Sequence, residues 1–158
     1  MKISNVKLIS DGLKGIECTY VKISVKDGRE FYDEFKRKHK APVHYELMDL
    51  FKKIPYFIAD IIGVSEPLLT VKGFSYSDKG IVLQGSLEVD LPGGLKFTNI
   101  NTPLVKEEDE YEGWKDLTNL LDSIYKETEL FMAGERVMED RQLVMDFYAS
   151  KKMYVDYS

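Results

Sequence analysis

The sequence predicts an α+β domain in which a strand–strand–strand–helix unit occurs twice in tandem, its strands joined in one antiparallel sheet with two helices on one face. Three observations carry this expectation. Residues 6–16 (VKLISDGLKGI) and 71–81 (VKGFSYSDKGI) share six of eleven positions without a gap: Val6/Val71, Lys7/Lys72, Ser10/Ser75, Lys14/Lys79, Gly15/Gly80 and Ile16/Ile81. Each copy then passes through extended stretches and a turn to a small residue before proline, Ala41-Pro42 and Thr102-Pro103. An amphipathic helical pattern follows each proline. Self-similarity at a fixed offset is the mark of a repeated supersecondary unit.

Taken in order, the elements have local causes. Lys14-Gly15 and Lys79-Gly80 supply residues suited to positive φ at a hairpin, and Asp27-Gly28 is a strong two-residue turn signal. Pro92-Gly93-Gly94 marks the equivalent turn of the second copy; it is too short for a phosphate loop and lacks the following Lys-Ser pair. Ile81, Leu83, Leu87 and Val89 alternate with Val82, Gln84, Ser86 and Glu88, the period of a sheet with one covered face. The first helix spaces Leu47, Leu50, Phe51, Ile54, Phe57, Ile58, Ile61 and Ile62 by threes and fours up to Gly63, with Pro55 expected to bend it. The second repeats that spacing with Trp114, Leu117, Leu120, Leu121, Ile124, Tyr125 and Phe131, and Gly134 is placed to cap it. The chain therefore reads as one domain, 1–158, with pseudo-repeats at 1–66 and 67–134 and a C-terminal extension at 135–158.

Size and composition narrow the class. A chain of 158 residues with 44% hydrophobic content can bury a real core. No apolar run reaches the roughly 18 residues of a membrane span. The first residues lack a signal peptide's apolar stretch, and one cysteine, Cys18, cannot make an internal disulfide; both predict a cytoplasmic protein. The net charge of −5 is uneven: residues 1–80 hold 14 Lys/Arg against 11 Asp/Glu, and residues 81–158 hold 8 against 16. That asymmetry permits contact with nucleic acid on one side only.

No catalytic constellation emerges, and the expectation is a protein without enzymatic activity, cofactor or metal. His39 and His44 straddle Pro42 off any shared helix face, and nothing completes a metal shell around them. Cys18 alternates with Ile16 and Tyr20, the position of a buried thiol. The acidic run Glu107-Glu108-Asp109-Glu110 suits the positive end of the second helix and lacks a calcium loop's ligand spacing.

Two segments carry the functional expectations. The run Phe35-Lys36-Arg37-Lys38-His39-Lys40 is the densest positive stretch. With Lys72 and Lys96, the residues Lys36, Arg37, Lys38 and Lys40 are candidate contacts to single-stranded nucleic acid, with Tyr20, Tyr32, Phe74 or Tyr76 as base-stacking partners. Lysines guarding an edge strand are the alternative. The outward sheet face is expected to carry Lys36, Lys38, Lys40, Lys72, Gln84, Ser86, Lys96 and Thr98. In the extension, Gln142-Leu143-Val144-Met145-Asp146-Phe147 resembles the short peptide by which bacterial polymerases and repair factors dock on the sliding clamp. Gln142 would bond backbone while Leu143, Met145 and Phe147 fill apolar pockets. Packing of the same segment on the core is the competing reading.

Several stretches together resemble a group of short proteins encoded by tailed bacteriophages and prophages: NVKLI at 5–9, KHKAPVHYEL at 38–47, KGFSYSDKGIVLQGS at 72–86, INTP at 100–103 and RQLVMDF at 141–147. The resemblance implies a phage protein acting in the host cytoplasm, in an early or DNA-metabolism context, and supplies no catalytic residues. With the basic run and the Gln142–Phe147 segment, the expected role is a non-enzymatic one in DNA replication or recombination. The expected partners are single-stranded nucleic acid and the host sliding clamp, with homo-oligomerisation possible. The alternative is an acidic inhibitor of a host defence or replication factor.

Overall fold

Six antiparallel strands form one sheet in the order β3-β2-β1-β4-β5-β6 in the computed structural model, which describes residues 2–134. The strands are β1 (Lys2–Leu8), β2 (Ile16–Lys26), β3 (Arg29–His39), β4 (Leu69–Ser77), β5 (Gly80–Leu91) and β6 (Gly94–Asn101). Helices α1 (Tyr45–Phe51) and α2 (Ile54–Ile62) follow β3, and α3 (Trp114–Met132) follows β6. The α+β class, the single sheet and the β-β-β-α order of each half agree with the sequence reading. The central pairing joins the first strand of each half, with Val6 opposite Phe74.

One face of the sheet is covered by the helices. Its inward residues are Ile3 and Val6 on β1, Ile16, Cys18 and Tyr20 on β2, Val71 and Phe74 on β4, and Ile81 and Leu83 on β5, all buried. They meet Leu47, Phe51, Ile54, Ile58, Leu117, Leu121 and Ile124 from the helices, each 1% exposed or less. Burying such side chains contributes about 1.5–3 kcal/mol apiece. Phe51 lies 6.0 Å from Phe74, ring centre to ring centre. Tyr125 stacks on Phe74 at 5.3 Å and on Tyr76 at 5.6 Å. At the end of α3, Phe131 reaches across to His39 on β3 at 4.5 Å. The second half's helix thus covers strands of the first half.

Pro55 divides the first helix instead of only bending it. It has no N–H for the Phe51 carbonyl, and its ring would crowd that oxygen. So α1 stops at Phe51, and α2 restarts with Pro55 in its first turn, where the missing donor costs nothing. Gly63 (φ +73) ends α2, and Gly134 (φ +79) lies just beyond α3, its N–H donating to Phe131 O at 3.1 Å.

Two glycines at strand starts have similar surroundings. Gly15 and Gly80 open β2 and β5 with φ +108 and +131. A Cβ on Gly15 would fall on the carbonyl oxygen of His39, and one on Gly80 would lie 2.5 Å from that of Val105. Each glycine therefore admits the chain leaving its own half's third strand.

Candidate functional site

Register assigns every strand residue to a face, because directly opposed residues point the same way. On the helix-free face the central row runs Lys38, Glu17, Lys7, Gly73, Gln84, Asn101 across all six strands, ~24 Å at the usual strand spacing. The next row holds Lys36, Thr19, Asn5, Ser75 and Val82, with Asn5 Nδ2 donating to Ser75 Oγ at 2.8 Å. The centre of this face is polar, with three lysines around one carboxylate, Glu17.

The basic residues singled out in the sequence are brought together only in part. Lys36 and Lys38 share this face, but both lean on Glu17, at 4.0 and 3.5 Å. Lys72, at a bulge in β4, pairs with Asp11 at 2.6 Å beside a shallow hollow lined by Thr70, Ser86, Phe97 and Asn99. Lys40 is exposed just beyond the end of β3. Arg37 is opposite Cys18 and so on the helix-side face, its guanidinium 5.4 Å from the Phe35 ring centre and 5.8 Å from that of Tyr20. Lys96 and Thr98 are opposite Val89 and Leu87 and also belong to that side, not to the outward face expected for them. Of the proposed stacking residues, Phe74 is fully buried and Tyr20 nearly so, while Tyr76 packs on Tyr125; none of the three presents a free ring. Tyr32 does, at 62% exposed, with its hydroxyl donating to Glu30 at 2.8 Å. Gln142, Leu143, Met145 and Phe147 lie outside the described residues.

Other expected groups have structural roles. Cys18 is fully buried, and desolvation followed by the nearby Glu17 charge pushes its thiol pKa up to about 12. His44 caps α1, its Nδ1 accepting from Glu46 N at 3.3 Å. The acidic run does not cap α3, a correction to the sequence reading. It forms a 3-10 turn, Glu107–Asp109, in which Asp109 accepts from Lys106 N at 2.8 Å; the residue capping α3 is Gly113. Glu110 takes a left-handed conformation (φ 55) and turns the chain away before the helix begins. Among the described residues no three His, Cys, Asp or Glu converge as metal ligands. No helix among them is long and apolar enough to cross a membrane.

What the sequence reading missed is the apolar surface of the two outer hairpins. The distal ends of β2–β3 and β5–β6 are mostly exposed, β3 and β6 on both sides. On the helix-free face of the first arm, Ile23 is directly opposite Tyr32, and Val25 follows at 70% exposed. Glu30 and Glu34 flank them. On the second arm Leu95 and Phe97, 55% and 67% exposed, are opposite Asp90 and Glu88. A signal was present in β2: the apolar positions Ile16, Cys18 and Tyr20 give way to Val21, Ile23 and Val25, a change of parity that moves them to the other face.

A scan of protein-family models, the curated proteins and the solved structures found no match to this chain. The fold and surface are therefore read on their own chemistry: an α+β protein with one polar sheet face and two projecting hairpin arms.

Proposed function

We propose that the chain is a non-enzymatic protein-binding module whose β2–β3 arm grips a partner on the helix-free side. The observation that carries this reading is the exposed group Ile23, Val25 and Tyr32 with Glu30 and Glu34 around it. Contiguous exposed apolar side chains rimmed by charge mark interaction surfaces. The acidic rim suits a protein partner with an apolar groove bordered by Lys or Arg, and it repels a phosphate backbone. With the resemblance to phage and prophage proteins, the reading is of a phage-encoded factor that binds and inhibits a host protein. The test compares retention of host-lysate proteins on immobilised wild type and on an Ile23→Ser, Val25→Ser, Tyr32→Ser variant. A protein held by the first and lost from the second is expected; identical retention would sink the reading.

A second reading has its own observation: Lys7, Lys36 and Lys38 share one face with Tyr32, a lysine and ring arrangement that could follow single-stranded nucleic acid. The shared Glu17 weakens it. Labelled single-stranded DNA at two salt concentrations decides, since phosphate contacts must weaken steeply with salt. Docking of Gln142–Phe147 on a sliding clamp is tested separately, by clamp retention on wild type against a Gln142→Ala, Phe147→Ala variant.

A further inference from the structure

The two outer strands occupy equivalent places at opposite ends of the sheet, yet their free edges differ in chemistry. The two-residue Asp27-Gly28 loop closes β2 and β3 at Lys26 and Arg29, with positive φ at both loop residues. Alternate residues from Arg29 onward therefore bond β2, and the N–H and C=O groups of Glu30, Tyr32, Glu34, Lys36 and Lys38 point away from the sheet. On β6, Thr102 N donates to Leu83 O at 2.9 Å in continuous register with the strand. By the same alternation Ile100, Thr98 and Lys96 bond β5, leaving the backbone groups of Leu95, Phe97, Asn99 and Asn101 on the outer edge.

At the repeat offset these sets correspond: Glu30 to Leu95, Tyr32 to Phe97, Glu34 to Asn99 and Lys36 to Asn101. Three charged guards on the first edge are uncharged on the second. Charged side chains are the ordinary protection of an edge strand, and a long, exposed, apolar edge without them is a template for pairing. Among the described residues nothing pairs with the outer side of β6.

We propose that β6 pairs antiparallel with β6 of a second copy, giving a two-fold dimer with one continuous twelve-stranded sheet. The strand is self-complementary. With Phe97 on the axis, the two Phe97 rings face each other, Leu95 lies diagonal to the partner ring, and Lys96, the only charge on β6, is opposite Thr98. No like charges meet. Pairing of β6 with the β3 edge of another copy would build open filaments, but Glu30, Glu34, Lys36 and Lys38 guard that edge. The dimer is independent of the arm-binding reading, since it uses the backbone edge of one arm and leaves Ile23, Val25 and Tyr32 free.

Sedimentation of the full chain at micromolar concentration tests it. The expected species has twice the 18.2 kDa chain mass. A Leu95→Glu, Asn99→Glu variant, which copies the guards of β3, is expected to sediment at half that mass with its circular dichroism unchanged. An Asn99→Pro variant, which removes an outward N–H without touching a β5 bond, is expected to do the same. A monomeric wild type overturns the proposal, and that includes an edge covered by residues 135–158 of the same chain. A dimer that survives both variants also overturns it. If neither variant folds, amide exchange of the wild type decides. Protection of Phe97 and Asn99 that rises with protein concentration supports the dimer, and protection independent of concentration refutes it.

Discussion

The hydroxyl of Tyr125, on α3, donates to the backbone carbonyl of Tyr76, on β4, at 2.7 Å while the two rings stack at 5.6 Å. This one side chain ties the second half's helix to the centre of the sheet. Burial raises its pKa above that of an ordinary tyrosine, so it stays a neutral donor. Tyr125→Phe keeps the stacking and leaves the carbonyl without its donor, which is expected to cost about 1 kcal/mol. Tyr125→Ala removes both and is expected to cost about 3–5 kcal/mol. Urea unfolding of wild type and the two variants separates the terms; a Tyr125→Phe variant as stable as wild type would show that the hydrogen bond contributes nothing.

Gly15→Ala and Gly80→Ala combine positive φ with a Cβ driven against a carbonyl oxygen, so each is expected to lose more than about 2 kcal/mol. Gly93, in the β5–β6 turn, has open space around it and no positive φ. Gly93→Ala is therefore expected to be neutral or stabilising by up to about 1 kcal/mol. Thermal unfolding of the three variants checks the ranking.

Thr128 is fully buried on α3, and its Oγ1 has no hydrogen-bond partner among the described residues. Thr128→Val replaces the stranded hydroxyl with a methyl group of similar shape and is expected to raise stability by about 1 kcal/mol. A loss of stability in chemical denaturation would mean that the hydroxyl is satisfied in solution.

Stability should fall on the alkaline side. The Cys18 thiol has a folded pKa raised from 9.0 to about 12, so the folded state holds its proton more tightly than the unfolded chain. Its contribution is complete below about pH 9 and is lost as the pH climbs towards about 12. The raised phenols of Tyr20, Tyr111 and Tyr125 act in the same direction at higher pH. Denaturation midpoints across this range are expected to drop more steeply for wild type than for Cys18→Ala. Parallel curves would rule out the thiol.

Legibility in the sequence followed burial. Strands over the core alternate because one face meets the helices, which is why Ile81, Leu83 and Leu87 were readable. On β6 the residues Leu95, Lys96, Phe97 and Thr98 are all exposed, so no period told Lys96 and Thr98 from outward residues. Arg37 was hidden inside a run of charges whose parity only the pairing with Cys18 resolves. Tyr20 is a base-stacking candidate in the sequence although it alternates with Ile16 and Cys18; the structure buries it with them.

Most elements and their order were legible in the chain, the division of the first helix at Pro55 excepted. The turn glycines, the prolines and the two apolar periods are local in cause, and they made an antiparallel α+β sheet with helices on one side the consistent answer. The surfaces were set by packing. Which charges meet, as Lys36 and Lys38 do at Glu17, depends on register between strands far apart in the chain. Which apolar side chains stay exposed, as Ile23 and Phe97 do, depends on which face of the sheet the strand pairing turns them to. Neither quantity is written in any one segment, because both arise only when separate segments pack.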